Sequence, residues 1–379
     1  MEASARRPWA SWPTGSLWSK ELVTATQSQG EDVPTISIDS PRFLISRMSA
    51  IGDTVLTLPV ACALRARFPE AFIGWAVEEK SSAMVVGHPC VDQVFTLPRG
   101  WFLSLKKCKS LRDELRAHRF TVSIDCQGNT KSSLACWLSG ARHRIGCRGQ
   151  YGTELSTYLN NILVTPERPH LTDRCVELLA PIGLTNPEID WQLPGNEGVE
   201  HAAARLLADL PLQGQFAIIN PGATWESKLW EMDRFAAVAR YLGERRGLKS
   251  LVVWGSNREL DFANQIVSAA DGHAVLAPRT SLQELVAVLR QGTIFISSDT
   301  GPLHMSVAVG TPSIGLYGAT RPADCGPYGS PHAGIQVRYE SGSRNERRKA
   351  DNSAMREISV ERVCCECDHV LDASLCKVA

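Results

Sequence analysis

No stretch of the sequence is apolar for the roughly 20 residues that a bilayer crossing needs. Arg6 and Arg7 stand near the start, but no apolar core of about 7–15 residues follows them, so no secretory signal is read. Net charge is missing too. The 40 Lys and Arg residues balance 40 Asp and Glu, which removes any bulk attraction to nucleic acid. There is no GxGxxG at a strand–helix junction, an argument against a nicotinamide enzyme. Gly128-Asn129-Thr130-Lys131-Ser132 imitates the end of a P-loop but lacks its first glycine at the required spacing. No Asp-x-Asp pair is present to hold a divalent ion beside a diphosphate. Cysteine is plentiful, at twelve, yet unpaired in pattern. Cys364-x-x-Cys367 with His369 has no second pair at zinc-site spacing, and Cys62, Cys126, Cys136 and Cys175 lie in apolar patterns as small core residues. The expectation is a cytoplasmic protein with no metal and no cofactor.

What is present is the rhythm of an α/β protein. The 379 residues suit two ordinary domains, and 44% of them are hydrophobic. Residues 1–40 read as a flexible arm. Trp9, Trp12 and Trp18 near Arg6, Arg7 and Lys20 would suit a membrane surface, but Pro8, Pro13 and Gly15 prevent a clean amphipathic helix there. From Pro41 onwards short β-branched runs alternate with helical periodicity, which predicts mostly parallel sheets covered on both faces. A helix is expected from Thr54 to about Phe68, bent at Pro59. A Pro-, Asn- and Gly-rich passage places a link near Pro187–Gly198. The division is therefore 41–190, 191–345, and a closing loop and helix over 346–379. Residues 338–353 are charged and polar and read as an exposed loop.

The densest stretch is Thr293–Gly329. It reads as a strand, the turn Asp299-Thr300-Gly301, a short helix opened by Pro302 and stopped at Gly310, then the strand Ser313–Tyr317. Amides of Gly301, Leu303 and His304 at such a helix start would suit an anion, a diphosphate above all. The same pattern also fits an ordinary turn in which Asp299 caps a helix. Two other strand-end turns would face the same cleft: Gly52-Asp53 and Pro221–Lys228. In the latter, Thr224 offers a hydroxyl and Lys228 a point charge for a phosphate. Glu259 opens the helix after Gly255, where a carboxylate binds ribose hydroxyls or merely favours the helix dipole. Arg142, Arg144 and Arg148 form a basic segment suited to acidic sugars, or simply solvated.

Three segments together, ISRMSAIGDTVLTLPV, NPGATWESKLWEMDRF and SSDTGPLHMSVAVGTPSIGLYGATRPADCGPYG, resemble glycosyltransferase family 9, the ADP-heptose–lipopolysaccharide heptosyltransferases. The similarity runs from about Arg42 to Tyr328. It implies a GT-B fold of two facing Rossmann-like domains, the first taking a lipid-linked oligosaccharide acceptor and the second an ADP-sugar donor, with inversion and no metal. By the same resemblance Asp53 is the general base and Lys228 serves catalysis on the donor phosphates. Thr224, Glu259, Asp299, Thr300, Gly301, Leu303 and His304 bind donor, while Arg142, Arg144 and Arg148 are offered to the acceptor. The first 40 residues and the Cys-rich end depart from the family pattern. At most peripheral contact with the inner membrane is expected. Another sugar nucleotide, a sugar-nucleotide epimerase of the same two-half fold, or a non-catalytic binding protein are the competing readings.

Overall fold

The computed structural model describes residues 40–212 and 214–378. Almost all of the expected arm, with its three tryptophans, lies outside the described residues.

Two six-stranded sheets, parallel throughout, carry the fold. The first holds β1 (Arg42–Ser46), β2 (Phe72–Glu78), β3 (Gln93–Leu97), β4 (Val122–Asp125), β5 (His143–Cys147) and β6 (Ile162–Val164). Its spatial order is β3-β2-β1-β4-β5-β6. The second holds β7 (Phe216–Asn220), β8 (Lys249–Val252), β9 (Ala274–Leu276), β10 (Ile294–Ser298), β11 (Ser313–Tyr317) and β12 (Ala333–Gln336), in the order β12-β11-β10-β7-β8-β9. Counted within each half, both orders are the same doubly wound 3-2-1-4-5-6. The winding reverses between β1 and β4 and again between β7 and β10, and ligands gather outside the carboxyl ends at such points. The central strands are buried along their length, as sheets covered on both faces require. Among the described residues no helix is long and apolar enough to cross a membrane.

Several expectations change in detail. The helix expected over 54–68 is two helices, Ile51–Val55 and Leu58–Arg67. Pro59 does not bend a continuous helix. It sits in the first turn of the second one, where its missing N–H is not needed. The Arg-rich segment is strand β5, an assignment its charges conceal. Residues 338–353 are not a bare loop. Helix Arg344–Lys349 opens with a Ser343/Glu346 capping box, and a short helix Ser353–Arg356 follows. Together they clamp the turn after β7. Ser227 Oγ donates to the Arg347 carbonyl at 2.6 Å, and Asn352 Nδ2 donates to the Leu229 carbonyl at 3.0 Å. The closing helix Val360–Val378 lies on the second half. Cys364 and Cys367 point into that half's core, while Cys365 faces His369 on the outside. The helix thus turns the Cys-x-x-Cys pair away from its histidine.

Candidate active site

β1 ends at Ser46, and the chain turns at once into helix Ile51–Val55. Asp53 is the third residue of that helix, not the residue before it. Its carboxylate takes the buried Arg47 guanidinium at 2.7 Å and the Ala50 amide at 3.4 Å. Arg47 is 5% exposed and donates a second bond to the Cys126 carbonyl at 2.5 Å. Burial opposes its charge, yet Asp53 beside it holds the guanidinium above its ordinary value. The Asp53 side chain remains 43% exposed. From β4, the Asp125 carboxylate accepts the amides of Gln127 and Gly128, and Gln127 Oε1 accepts those of Met48 and Ser49. The turn carrying Asp53 is therefore tied to the neighbouring strand across the switch point.

In the second half the turn after β10 carries Asp299, 7% exposed. Its carboxylate accepts Lys228 Nζ at 2.5 Å and Thr320 Oγ1 at 2.6 Å, and His304 Nε2 lies 3.3 Å away. Burial alone would raise its pKa; Lys228 and His304 instead hold it well below the usual carboxylate range. Lys228 also sits over the Trp225 ring, 4.7 Å from its centroid. Asp299 is thus no helix cap: Thr300 holds the capping position of helix Gly301–Ala308, without a side-chain cap bond. The Thr300 hydroxyl is engaged instead with Asn220 Nδ2 and Ser297 Oγ. The Leu303 amide, expected free, donates to the Thr300 carbonyl at 3.2 Å. His304 Nδ1 and Ser298 Oγ are buried without a protein partner.

The two turns meet. A Cβ on Gly52 would stand 2.5 Å from His304 Cδ2 and 3.2 Å from Gly301 Cα, so only glycine lets the halves approach this closely. Beside the contact lies a cavity of about 260 Å³ walled by Arg47, Asp53, Gln127, Tyr151 and Arg174 of the first half and by Asp324 and Cys325 of the second. Arg174 stacks on Tyr151, its guanidinium carbon 4.1 Å from the ring centroid.

The other expected residues divide. Glu259 spends Oε2 on the amides of Gly255 and Ser256, while Oε1 lies where a Gly222 side chain would be, 2.4 Å from the position of a Cβ. It serves as a cap and still borders the turn after β7. Thr224 is exposed on that turn. Arg148 follows the carboxyl end of β5, on the cleft side, and is exposed. Arg142 and Arg144 belong to the opposite end of β5. Arg144 is also committed to backbone, donating to the carbonyls of Leu159 and Ala141. The structure therefore separates these two from the cavity.

Sequence reasoning missed Arg47, Gln127 and Arg174. Only Arg47 left a signal, a cation at the end of an apolar strand six residues before Asp53. Cys126 and Cys175 are buried as expected, but they also wall the cavity. The adjoining Cys126 and the nearby Arg47 charge outweigh burial at Cys175 and bring its thiol below the ordinary value.

A family model described as glycosyltransferase family 9 (heptosyltransferase) matches residues 108–354. The chain belongs to glycosyltransferase family 9. It is an enzyme of the heptosyltransferase class with the GT-B fold. The transferase is 27% identical over 300 residues to lipopolysaccharide heptosyltransferase 1 of Escherichia coli K12, covering 76% of this chain and 91% of that one. It is also 27% identical over 279 residues to lipopolysaccharide heptosyltransferase 3 of the same organism, covering 71% and 80%. Among solved structures, a family 9 glycosyltransferase from Veillonella parvula superposes with TM-score 0.77 at 22% identity, covering 89% and 99%. E. coli ADP-heptose lipopolysaccharide heptosyltransferase II gives TM-score 0.70 at 21% identity, covering 89% and 100%. The turn with Arg47 and Asp53 precedes the matched segment.

Proposed function

We propose that the transferase moves a heptose from ADP-heptose to a lipopolysaccharide core acceptor, with inversion at the anomeric carbon and without a metal ion. The carrying observation is the contact between the turns. Gly52 of one half packs against Gly301 and His304 at the start of the Gly301–Ala308 helix of the other, and Asp53, the next residue, is held by Arg47 and lines the cavity beside that contact. An acceptor hydroxyl is a poor nucleophile at neutral pH. In this reading Asp53 takes its proton as the oxygen attacks opposite the leaving diphosphate. Negative charge then grows on the nucleoside diphosphate. In this reading the amide of Gly301, the His304 ring and the Thr224 hydroxyl stabilise it.

Lys228 enters differently from a free phosphate-binding lysine. Its ammonium is paired with Asp299, so the pair acts as one unit beside the donor. Arg174 and Arg148 replace Arg142 and Arg144 as the cations offered to an acidic acceptor. Glu259 keeps its ribose reading through Oε1.

The test is turnover of ADP-heptose with a deacylated, chemically defined acceptor in the presence of EDTA. Formation of the transferred product with inverted configuration supports the reading. Release of free epimer, binding without turnover, or a requirement for added magnesium each sinks a stated part of it.

A further inference from the structure

The chain balances its charges overall, but not locally. From Gln93 to Arg112 there is no acidic residue, and Arg99, Lys106, Lys107, Lys109 and Arg112 are all exposed. Within the same segment stand the two most exposed large aliphatic side chains among the described residues, Leu103 at 81% and Leu105 at 90%.

The display is anchored to the fold. Trp101 is fully buried and anchors the turn from which Leu103 projects, and Ser104 caps the helix Leu105–Ala117 by accepting from the Lys107 amide. Along that helix Leu105, Lys109 and Arg112 share one face by the 3.6-residue repeat, while Leu111 and Leu115 are buried on another. Two local choices cost stability. Lysines occupy the first turn, where the helix dipole favours acids, and leucines face water where polar residues would dissolve better. Neither choice is explained by the fold. Basic side chains around exposed leucines complement a surface that is both apolar and negatively charged.

Placement agrees. β3 is parallel to β2 and β2 to β1, so the carboxyl end of β3, which leads into Trp101–Leu105, lies on the same side of the sheet as Arg47 and Asp53.

We propose that Leu103 and Leu105, together with the exposed Arg99, Lys106, Lys107 and Lys109 of the same segment, dock the enzyme on an anionic lipid bilayer. The leucines insert below the headgroups and the cations pair with lipid phosphates. The inference deepens the reading of a lipid-linked acceptor and takes its purpose from it, but its test does not depend on turnover.

The experiment is co-sedimentation of the full chain with phosphatidylcholine vesicles, with and without about 30% phosphatidylglycerol. Wild type should bind the anionic vesicles and lose that binding in high salt. The triple variant Lys106→Gln/Lys107→Gln/Lys109→Gln should bind roughly 100-fold more weakly, from about 5-fold per lysine. Leu103→Ser/Leu105→Ser should bind at least 10-fold more weakly at unchanged charge. Both variants should keep wild-type turnover on the soluble, deacylated acceptor. The inference is overturned if wild type ignores anionic vesicles, if both variants bind like wild type, or if deletion of residues 1–38 alone abolishes binding. Vesicle binding without any heptose transfer would instead break the functional reading and leave the docking surface standing.

Discussion

Each half of the transferase places an aspartate at the end of a switch-point strand, and the two are treated in opposite ways. Asp53, after β1, keeps 43% of its side chain exposed and has one ionic partner, the buried Arg47. Asp299, after β10, is buried among Lys228, Thr320 and His304. The same topology thus yields one carboxylate open to a ligand and one already bonded to its neighbours. A general base needs access to its substrate's proton, so only the first position can serve as one. The second fixes a lysine, a hydroxyl and a histidine around the start of a helix. In the proposed reading, division of labour between the halves follows from burial and partner count, not from residue type.

The sharpest way to break this comparison is at Asp53. Asp53→Asn should reduce turnover by roughly 10²–10⁴, the usual contribution of a positioned base. An Asn could still meet the Ala50 amide, but the buried Arg47 would lose its counter-charge. A loss of about 1–3 kcal/mol should accompany the substitution, read by urea denaturation. Near wild-type turnover on a defined acceptor would remove Asp53 from catalysis.

At the second aspartate the expected order of effects reverses, stability first. Lys228→Ala strands the Asp299 carboxylate in the interior and should destabilise the fold by about 3–5 kcal/mol. Donor affinity should fall as a consequence. Lys228→Met/Asp299→Leu removes both charges and should recover much of the stability while donor binding stays weak. If Lys228→Ala melts like wild type, the pair is not the structural unit argued for here.

How much of this was legible beforehand follows from what each residue does. The doubly wound rhythm and the three strand-end turns are written in local periodicity and turn chemistry, and β1, β7 and β10 end just before those turns. Strand β5 was hidden because His143 and Arg144 occupy its half-exposed first two positions and mask the buried run that follows. The clamp over 344–356 was hidden because it holds the Lys228 turn by hydrogen bonds to carbonyls, which leave no apolar pattern. Pairing was hidden as well. Arg47 and Asp53 are six residues apart, but Lys228 and Asp299 are joined across 71, and no spacing rule reports that. Arg144 shows the converse error: a cation that looked available is spent on backbone.

A smaller effect is expected where the two turns touch. Gly52→Ala puts a methyl group into the edge of the His304 ring, and the halves must shift by a few tenths of an ångström or more. The cost should be about 1–3 kcal/mol. It should appear mainly as a fall in kcat/KM, since the strain is relieved when the halves separate. A fall in melting temperature with unchanged kinetics would place the strain within the first half instead.

The least effect at working pH, and the most specific to the buried aspartate, is the acid limb of stability. Asp299 has a folded pKa well below its unfolded value of about 3.9, since Lys228 and His304 outweigh the burial that would raise it. A depressed carboxylate binds fewer protons folded than unfolded, so it stabilises the protein above the unfolded pKa. That contribution shrinks as pH falls below about 4 and is gone once pH passes below the folded value. Near neutrality no pH dependence should come from this group. Denaturant melts of wild type and of Lys228→Met/Asp299→Leu, taken from pH 6 down to pH 2.5, isolate the difference. The double variant should show a shallower loss below pH 4, because the carboxylate and its partner are both absent. Parallel curves would mean that the acid sensitivity arises elsewhere and that the Asp299 pair contributes nothing to it.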